Sequence, residues 1–400
     1  MVYVHLHARA VSEIYNQYYP KHIVYLLQIS ALQTRLIGFC LPSSNNCTIE
    51  QKIIMTTSKR DDCPTTKHLV VNFTKRDLIL YALGIGCCSK EYKGEELRFV
   101  YERHPSFQMF PTFLLTMYFA AESKSKGHSG IRPFPPESMS LSKNNESGII
   151  PTMFLKNADD VQELKHLPIL HMSQSLVFHN EILPLNNKTD GDDHPVTIDL
   201  QTRILSIRPR SVGTFVTTET TYYQEESCIA TAQMTALVFG LSPEKVVSWQ
   251  GSDKIVPTNT NLTTKNIATK KTMHEFNIPP NAALLYRLSG DYNPIHVEGT
   301  DGDNHGPILH GLCTMGYAAR AILQHMKRFS KRDMRMTEIR CNFVKPVFIG
   351  DAIRVEVCCI NDGIDDHVSV CFCVYRSSSG EKLVDKGYAT LLQSKTASRL

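Results

Sequence analysis

At 400 residues the chain has room for two domains, or for one double-sized unit, around an ample core. Hydrophobic residues at 42% and charged residues at 20% are the proportions of an ordinary soluble globular protein, and a net charge of +4 with no long basic block excludes nucleic acid as an implied partner. Twelve cysteines without a Cys-x-x-Cys pair or a Cys/His cluster at zinc spacing argue for a reducing compartment, and no apolar run reaches the ~18 residues of a membrane-spanning helix.

In chain order, residues 1–64 mix Tyr, His, Gln and Ser without a pattern. They read as a disordered extension, a small partner-binding segment, or residues upstream of a start at Met55. The first clear element is a helix from Lys75 to Cys88, in which Leu78, Ile79, Leu80, Ala82, Leu83 and Ile85 are apolar and Gly84 and Gly86 mark the end. A Phe-Val-Tyr-Glu run at 99–102 comes next. Residues 121–166, rich in Ser, Lys, Gly, Pro and Asn, read as a long mobile insertion.

Pro168-Ile-Leu-His171 then repeats Pro307-Ile-Leu-His310 of the second half, and strand-like segments come after each copy: 196–208, 213–223 and 226–239, then 336–348, 351–360, 367–376 and 382–393. Alternation of Ile353, Val355 and Val357, and of Val368, Val370, Phe372 and Val374, predicts strands with one buried face. Asn361-Asp362-Gly363 and Ser377–Gly380 supply turns. The copies differ where the chemistry should be, because Met172 stands in the place of Gly311.

Between them lies Tyr-Arg-Leu-Ser-Gly-Asp-Tyr-Asn-Pro-Ile-His at 286–296, which puts Asp291, Asn293 and His296 on one bent segment that Gly290 and Pro294 keep from being a helix. Gly311 opens a helix whose Leu312, Met315, Ala319, Ile322, Leu323 and Met326 fall near helical spacing. A backbone N–H at a helix start is a ready donor to a developing negative oxygen. Each piece alone reads as ordinary structure, an Asx turn, a loop imidazole and an entry glycine. Their conjunction assembles a base, a group that orients it, an acid and an oxyanion donor.

The 286–296 segment with Pro307–Gly311 resembles the signature of the MaoC-like (R)-specific enoyl-CoA hydratases, and in particular the peroxisomal hydratase 2 group. The runs at 81–86 and 99–102 resemble that group's N-terminal half. The resemblance implies an α+β, double hot-dog fold: two bent antiparallel sheets, each wrapped around a central helix. It divides the chain into the extension 1–64, a non-catalytic hot dog at 65–245 with the insertion near 121–166, a catalytic hot dog at 258–395, and a tail at 396–400. Carried over position by position, it makes Asp291 and His296 the acid/base pair, Asn293 their companion and Gly311 the oxyanion N–H. His171, Met172, Arg210, Tyr292, Pro294, Ile295 and Phe343 become substrate contacts, and Glu102 becomes either a functional acid or a structural ion-pairing or capping residue. Departures from the family pattern are a shorter loop between His296 and Pro307, the 121–166 insertion, and Met172 where a Gly is usual.

The implied reaction is hydration of a trans-2-enoyl-CoA to the (3R)-3-hydroxyacyl-CoA, a lyase chemistry of fatty acid β-oxidation. It requires no metal and no redox cofactor, coenzyme A being part of the substrate. Ser398-Arg399-Leu400 matches the peroxisomal address, so the expected partners are acyl-CoA and the peroxisomal import receptor, with a homodimer as a family expectation. The chain resembles a stand-alone hydratase, without dehydrogenase or sterol-carrier segments. The rival readings are a hot-dog thioesterase and a catalytically silent acyl-CoA-binding protein.

Overall fold

The computed structural model describes residues 66–89, 94–124, 149–157, 167–180, 195–253, 255–256, 271–299, 306–330, 334–360 and 367–393. The 1–64 extension, most of the 121–166 insertion, the Asn361–Gly363 turn and the 396–400 tail lie outside them.

Strand β1 (Thr66–Phe73) leads into α1 (Lys75–Gly84), the short helix α2 (Leu97–Val100), a 3-10 helix (Pro111–Thr116) and α3 (Met117–Lys124). β2 (Ile169–Phe178), β3 (Val196–Arg210), β4 (Gly213–Gln224), β5 (Ser227–Phe239) and the two-residue β6 (Trp249–Gln250) complete the first half. The second half runs β7 (Lys271–Asn277), α4 (Ala282–Tyr286), α5 (Gly311–Ser330), β8 (Met334–Phe343), β9 (Ala352–Cys359), β10 (His367–Arg376) and β11 (Lys382–Gln393).

Among the described residues, eleven strands hydrogen-bond into one sheet, in the order β1-β3-β4-β5-β2-β8-β11-β10-β9-β7 with β6 beside β3. Every strand pairing is antiparallel. The halves meet at β2 and β8, where Ser173 faces Asn342 and Val177 faces Glu338. This is the hot-dog arrangement, with the two bent sheets continuous across that seam.

α5 is the hub of the second half. Leu312, Cys313, Met315, Tyr317, Ala318, Ala319, Ala321, Ile322 and Met326 are buried, as are Thr314, Arg320 and His325, so the helix is enclosed on nearly every side. The alternation of β9 and β10 turns Ile353, Val355, Val357, Val368, Val370, Phe372 and Val374 inward against it. Leu78 and Tyr81 of α1, with Phe110, Phe113 and Leu114, belong to the same core. The N-terminal helices therefore cover the second half's helix as well as their own sheet. The hollow of β3, β4 and β5 holds instead Ile149, Ile150, Phe154 and Leu155.

α1 stops at Gly84, the first of the two glycines that mark its end in the sequence. Gly86 takes φ +77°, and a Cβ there would fall 2.8 Å from the Tyr317 hydroxyl. The two Pro-Ile-Leu-His copies have different structures. Pro168–His171 runs into strand β2, whereas Pro307–His310 runs into helix α5, so the four-residue match is not a structural repeat. The partner that corresponds to β2 across the seam is β8.

One packing feature makes a stability prediction. Lys386 has φ +53° and the pairing of β11 with β8 slips between Asp385 and Tyr388, a bulge that brings Gly387 against Phe372. A Cβ on Gly387 would lie 2.4 Å from the Phe372 carbonyl oxygen and 2.5 Å from its ring. Gly387→Ala is expected to cost roughly 1–3 kcal/mol, read as a lower Tm at unchanged far-UV circular dichroism.

Candidate active site

The bent segment is fixed at both ends. Tyr286 is fully buried, its ring 5.7 Å from Tyr81 and 4.8 Å from His310. Arg287–Ser289 makes a 3-10 turn that ends at Gly290 with φ +128°, where a Cβ would sit 2.7 Å from the Ala120 backbone nitrogen. Only glycine permits that approach. Pro294 opens a second 3-10 turn to His296, and the Asn293 side-chain oxygen caps it by accepting from the Ile295 N–H at 3.2 Å. The Asp291 carboxylate accepts from the Asn293 N–H at 3.3 Å.

His296 is buried and its Nδ1 donates to the Ile308 carbonyl at 2.9 Å. A carbonyl only accepts, so Nδ1 carries the proton and Nε2 is left with its lone pair. Asp291, His296 and His310 have ligand-type atoms that all lie within 4.8 Å of one another. The two imidazoles stack with centroids 3.6 Å apart and planes 25° from parallel.

Burial raises the Asp291 carboxyl above its ordinary value, and the charge of His296 and the Asn293 N–H pull it partly back. Burial also lowers His296, against the opposing pull of Asp291 and the Ile308 carbonyl. The two groups are thus pushed toward each other, the condition of a coupled acid/base pair.

Asp291, Asn293 and His296 line one cavity of about 210 Å³. Gly311 lines it too, at the first position of α5, where its N–H has no intrahelical acceptor and the helix dipole presents its positive end. The apolar walls come from both halves: Ile169, Met172, Met234 and Ala236 from one, Leu312, Leu383 and Val384 from the other. His171 lies edge-on to Phe343 with centroids 4.9 Å apart. Its buried Nε2 has no hydrogen-bond partner, and burial brings its pKa down to about 4 despite contacts with Ser173 and Gln174.

Of the residues singled out in the sequence, Asp291, Asn293, His296, Gly311, His171, Met172, Ile295 and Phe343 share this cavity. Four do not line it. Tyr292 lies beneath the Arg287 guanidinium, 5.0 Å from its ring centroid. Pro294 is exposed and shapes the turn. Arg210 is exposed at the β3–β4 turn, where its Nη1 donates to the Pro209 carbonyl. Glu102 is exposed on the turn after α2, and neither an acid at the cavity nor a buried ion pair can be assigned to it there. A half-buried carboxylate of that region is Glu96, which takes two hydrogen bonds from Arg320 of α5 at 2.9 and 3.0 Å. Nothing local marked that pair in the sequence, since 224 residues separate its members.

Both halves of the chain are similar to known proteins. Residues 256–372 match the model of the MaoC like domain and residues 71–141 that of the MFE-2 hydratase 2 N-terminal domain. The chain is 27% identical over 305 residues to a protein of Arabidopsis thaliana named enoyl-CoA hydratase 2, peroxisomal, covering 74% of this chain and 83% of that one. It is 26% identical over 330 residues to the peroxisomal hydratase-dehydrogenase-epimerase of Saccharomyces cerevisiae, covering 80% of this chain and 31% of that one. The chain thus spans about a third of the length of the multifunctional relatives it matches. Among solved structures, a MaoC-like dehydratase from Phytophthora capsici superposes with a TM-score of 0.59 at 25% identity, over 82% of this chain and 96% of that one.

Proposed function

For a chain that joins an MFE-2 hydratase 2 N-terminal domain to a MaoC-like domain, we propose the reversible hydration of trans-2-enoyl-CoA to (3R)-3-hydroxyacyl-CoA, in the peroxisome where its named relatives are placed. The observation that carries this reading is the placement of Asp291 and His296 in one apolar cavity with the free N-terminal N–H of α5.

Water is a poor nucleophile at neutral pH, so the attack on C3 needs a base to take its proton. Asp291 and His296 Nε2 hold one water between them and act as a coupled unit, from which a proton also reaches C2. As C3 is attacked, the thioester oxygen gains enolate character. The Gly311 N–H, reinforced by the helix dipole, meets that charge in a site where little water competes. Asn293 keeps the carboxylate-bearing turn in shape. The walls shared by the two halves receive the acyl chain, with Met172, Ile295, Phe343 and His171 as contacts. (R) stereochemistry follows from the family resemblance, as does a homodimer, which size-exclusion chromatography with light scattering tests.

Purified protein is expected to remove the conjugated enoyl absorbance of a medium-chain trans-2-enoyl-CoA and to yield the (3R) product on chiral analysis. Release of free thiol from a saturated acyl-CoA, with no loss of enoyl absorbance, would replace this reading with a thioesterase.

The pH dependence is set by the two shifts. Asp291 works as its carboxylate, and its raised pKa means that activity is lost on acidification at a pH above the ordinary carboxylate value of 3.8. His296 works neutral, and its lowered pKa keeps it so until below the ordinary imidazole value of 6.5. The acid limb of kcat/KM is therefore expected above 3.8, and full activity down to that pH contradicts the assignment.

A further inference from the structure

His310 has no task in the hydration chemistry itself, yet it is the most closely engaged neighbour of both groups that do. The ring is 1% exposed, so no substrate reaches it. Its Nε2 lies 3.1 Å from the main-chain carbonyl of Asp291. As that oxygen can only accept, Nε2 carries the proton, and the neutral ring leaves Nδ1 with a lone pair. Nδ1 is buried and has no hydrogen-bond partner. One face of the ring is stacked on His296 at 3.6 Å, and Tyr286 packs against it at 4.8 Å.

We propose that His310 is the positioning residue of the acid/base pair, an imidazole that pins the Asp291 backbone through Nε2–H and fixes the plane of the His296 ring from behind. The tie and the stack act on different members of the pair, and one side chain makes both. With its rear face against His310 and Nδ1 held by the Ile308 carbonyl, His296 has one orientation, and its Nε2 is the nitrogen left for the cavity.

Neutrality is built in by the surroundings. The titratable and charged groups around the stack are Asp291 and Arg287 of the bent segment, Tyr286 of α4, and Tyr81 and Cys313 behind Tyr286. Burial, together with the charges of His296 and Arg287, holds His310 well below the ordinary imidazole value, with only the Asp291 carbonyl opposing. Two buried stacked imidazoles cannot both be charged. A second neutral ring lets His296 change its protonation without a neighbouring cation to resist it.

This inference rests on the hydratase reading, and two variants separate its parts. His310→Gln keeps a donor near the position of Nε2 but loses the stack, and His310→Phe keeps an aromatic face but loses the donor. With wild-type enzyme hydrating enoyl-CoA, each variant is expected to lower kcat about ten- to a hundredfold with KM changed less than about threefold, because geometry is lost and substrate contacts are kept. The acid limb of the pH profile moves upward in His310→Gln, where water reaches the rear of His296, and stays in place in His310→Phe. Wild-type kcat and an unmoved pH profile in both variants would falsify the proposal and leave His310 as packing. If neither variant folds, 15N shifts of the wild-type imidazoles decide, with Nε2–H on His310 and Nδ1–H on His296 at pH 6 expected. A protonated His310 or the opposite tautomer overturns it. Absence of hydration by wild-type enzyme would instead sink the functional reading, while the 15N result would still stand for or against the His310 assignment.

Discussion

Asp291→Asn is expected to lower the hydration rate by roughly two to four orders of magnitude, and His296→Gln by a similar factor, with KM changed far less. Both substitutions keep the side-chain shape close to the original. Asn at 291 can still accept from the Asn293 N–H, so the turn should survive while the carboxylate that takes a proton from water is gone. Gln at 296 can still donate to the Ile308 carbonyl but has no nitrogen lone pair to offer the water. A drop in kcat/KM larger than the drop in kcat would point to lost substrate binding. An equal drop in both is the signature of an interaction made in the transition state. The double variant should be little worse than either single one, since the two groups work on one water. Near-normal turnover in either variant, measured by loss of the enoyl absorbance, ends the assignment.

The largest effect on stability is expected at Arg320. Its guanidinium is 4% exposed, grips Glu96 through Nε and Nη2, and donates from Nη1 to the Ile85 carbonyl at 3.0 Å. Glu96 also accepts from the Cys88 N–H at 2.7 Å and the Gln324 side chain at 2.8 Å. The network clamps the turn after α1 onto the helix whose first residue is Gly311. Arg320→Met strands a half-buried carboxylate and is expected to cost about 3–5 kcal/mol in chemical denaturation. The double change Arg320→Met with Glu96→Gln should cost distinctly less, because no charge is left without a partner. Burial alone would raise the Glu96 pKa, but hydrogen bonds and charge from Arg320 outweigh it and the group ends below its ordinary value of 4.5. Its contribution is therefore fully present above that value and is lost as the pH falls through the depressed one. A double variant no more stable than Arg320→Met would contradict the stranded-charge account.

What could be read from the residues depended on whether the signal was local. β9 and β10 were legible because one apolar residue in two faces α5, and a period of two survives in the sequence. β1 was not recognised: Leu69, Val71 and Phe73 are buried in alternation, but the exposed Val70 between them hides the pattern. The Pro-Ile-Leu-His copies mislead for a related reason, as four residues do not decide between a strand and a helix entry. The residues after each copy decide, Ser173–Ser175 paired between β5 and β8 in one case and an apolar helical stripe in the other. In the site, Asp291, Asn293, His296 and Gly311 were legible because three of them share one turn and the fourth opens a helix. Glu96 with Arg320, the stacking of His310 on His296, and the cavity walls Met234, Ala236, Leu383 and Val384 were not. Those contacts exist only once distant segments have folded together. Glu102 and Arg210 show the converse, positions marked by family likeness that this chain places on its surface.

The seam between β2 and β8 also says how this molecule would come apart. A cut in the stretch joining the two halves would bare one raw strand edge on each fragment, a row of unpaired peptide groups whose matching template is the other fragment. Because the catalytic cavity takes walls from both, neither fragment could work alone. The pair is a natural candidate for a split enzyme whose complementation regenerates activity.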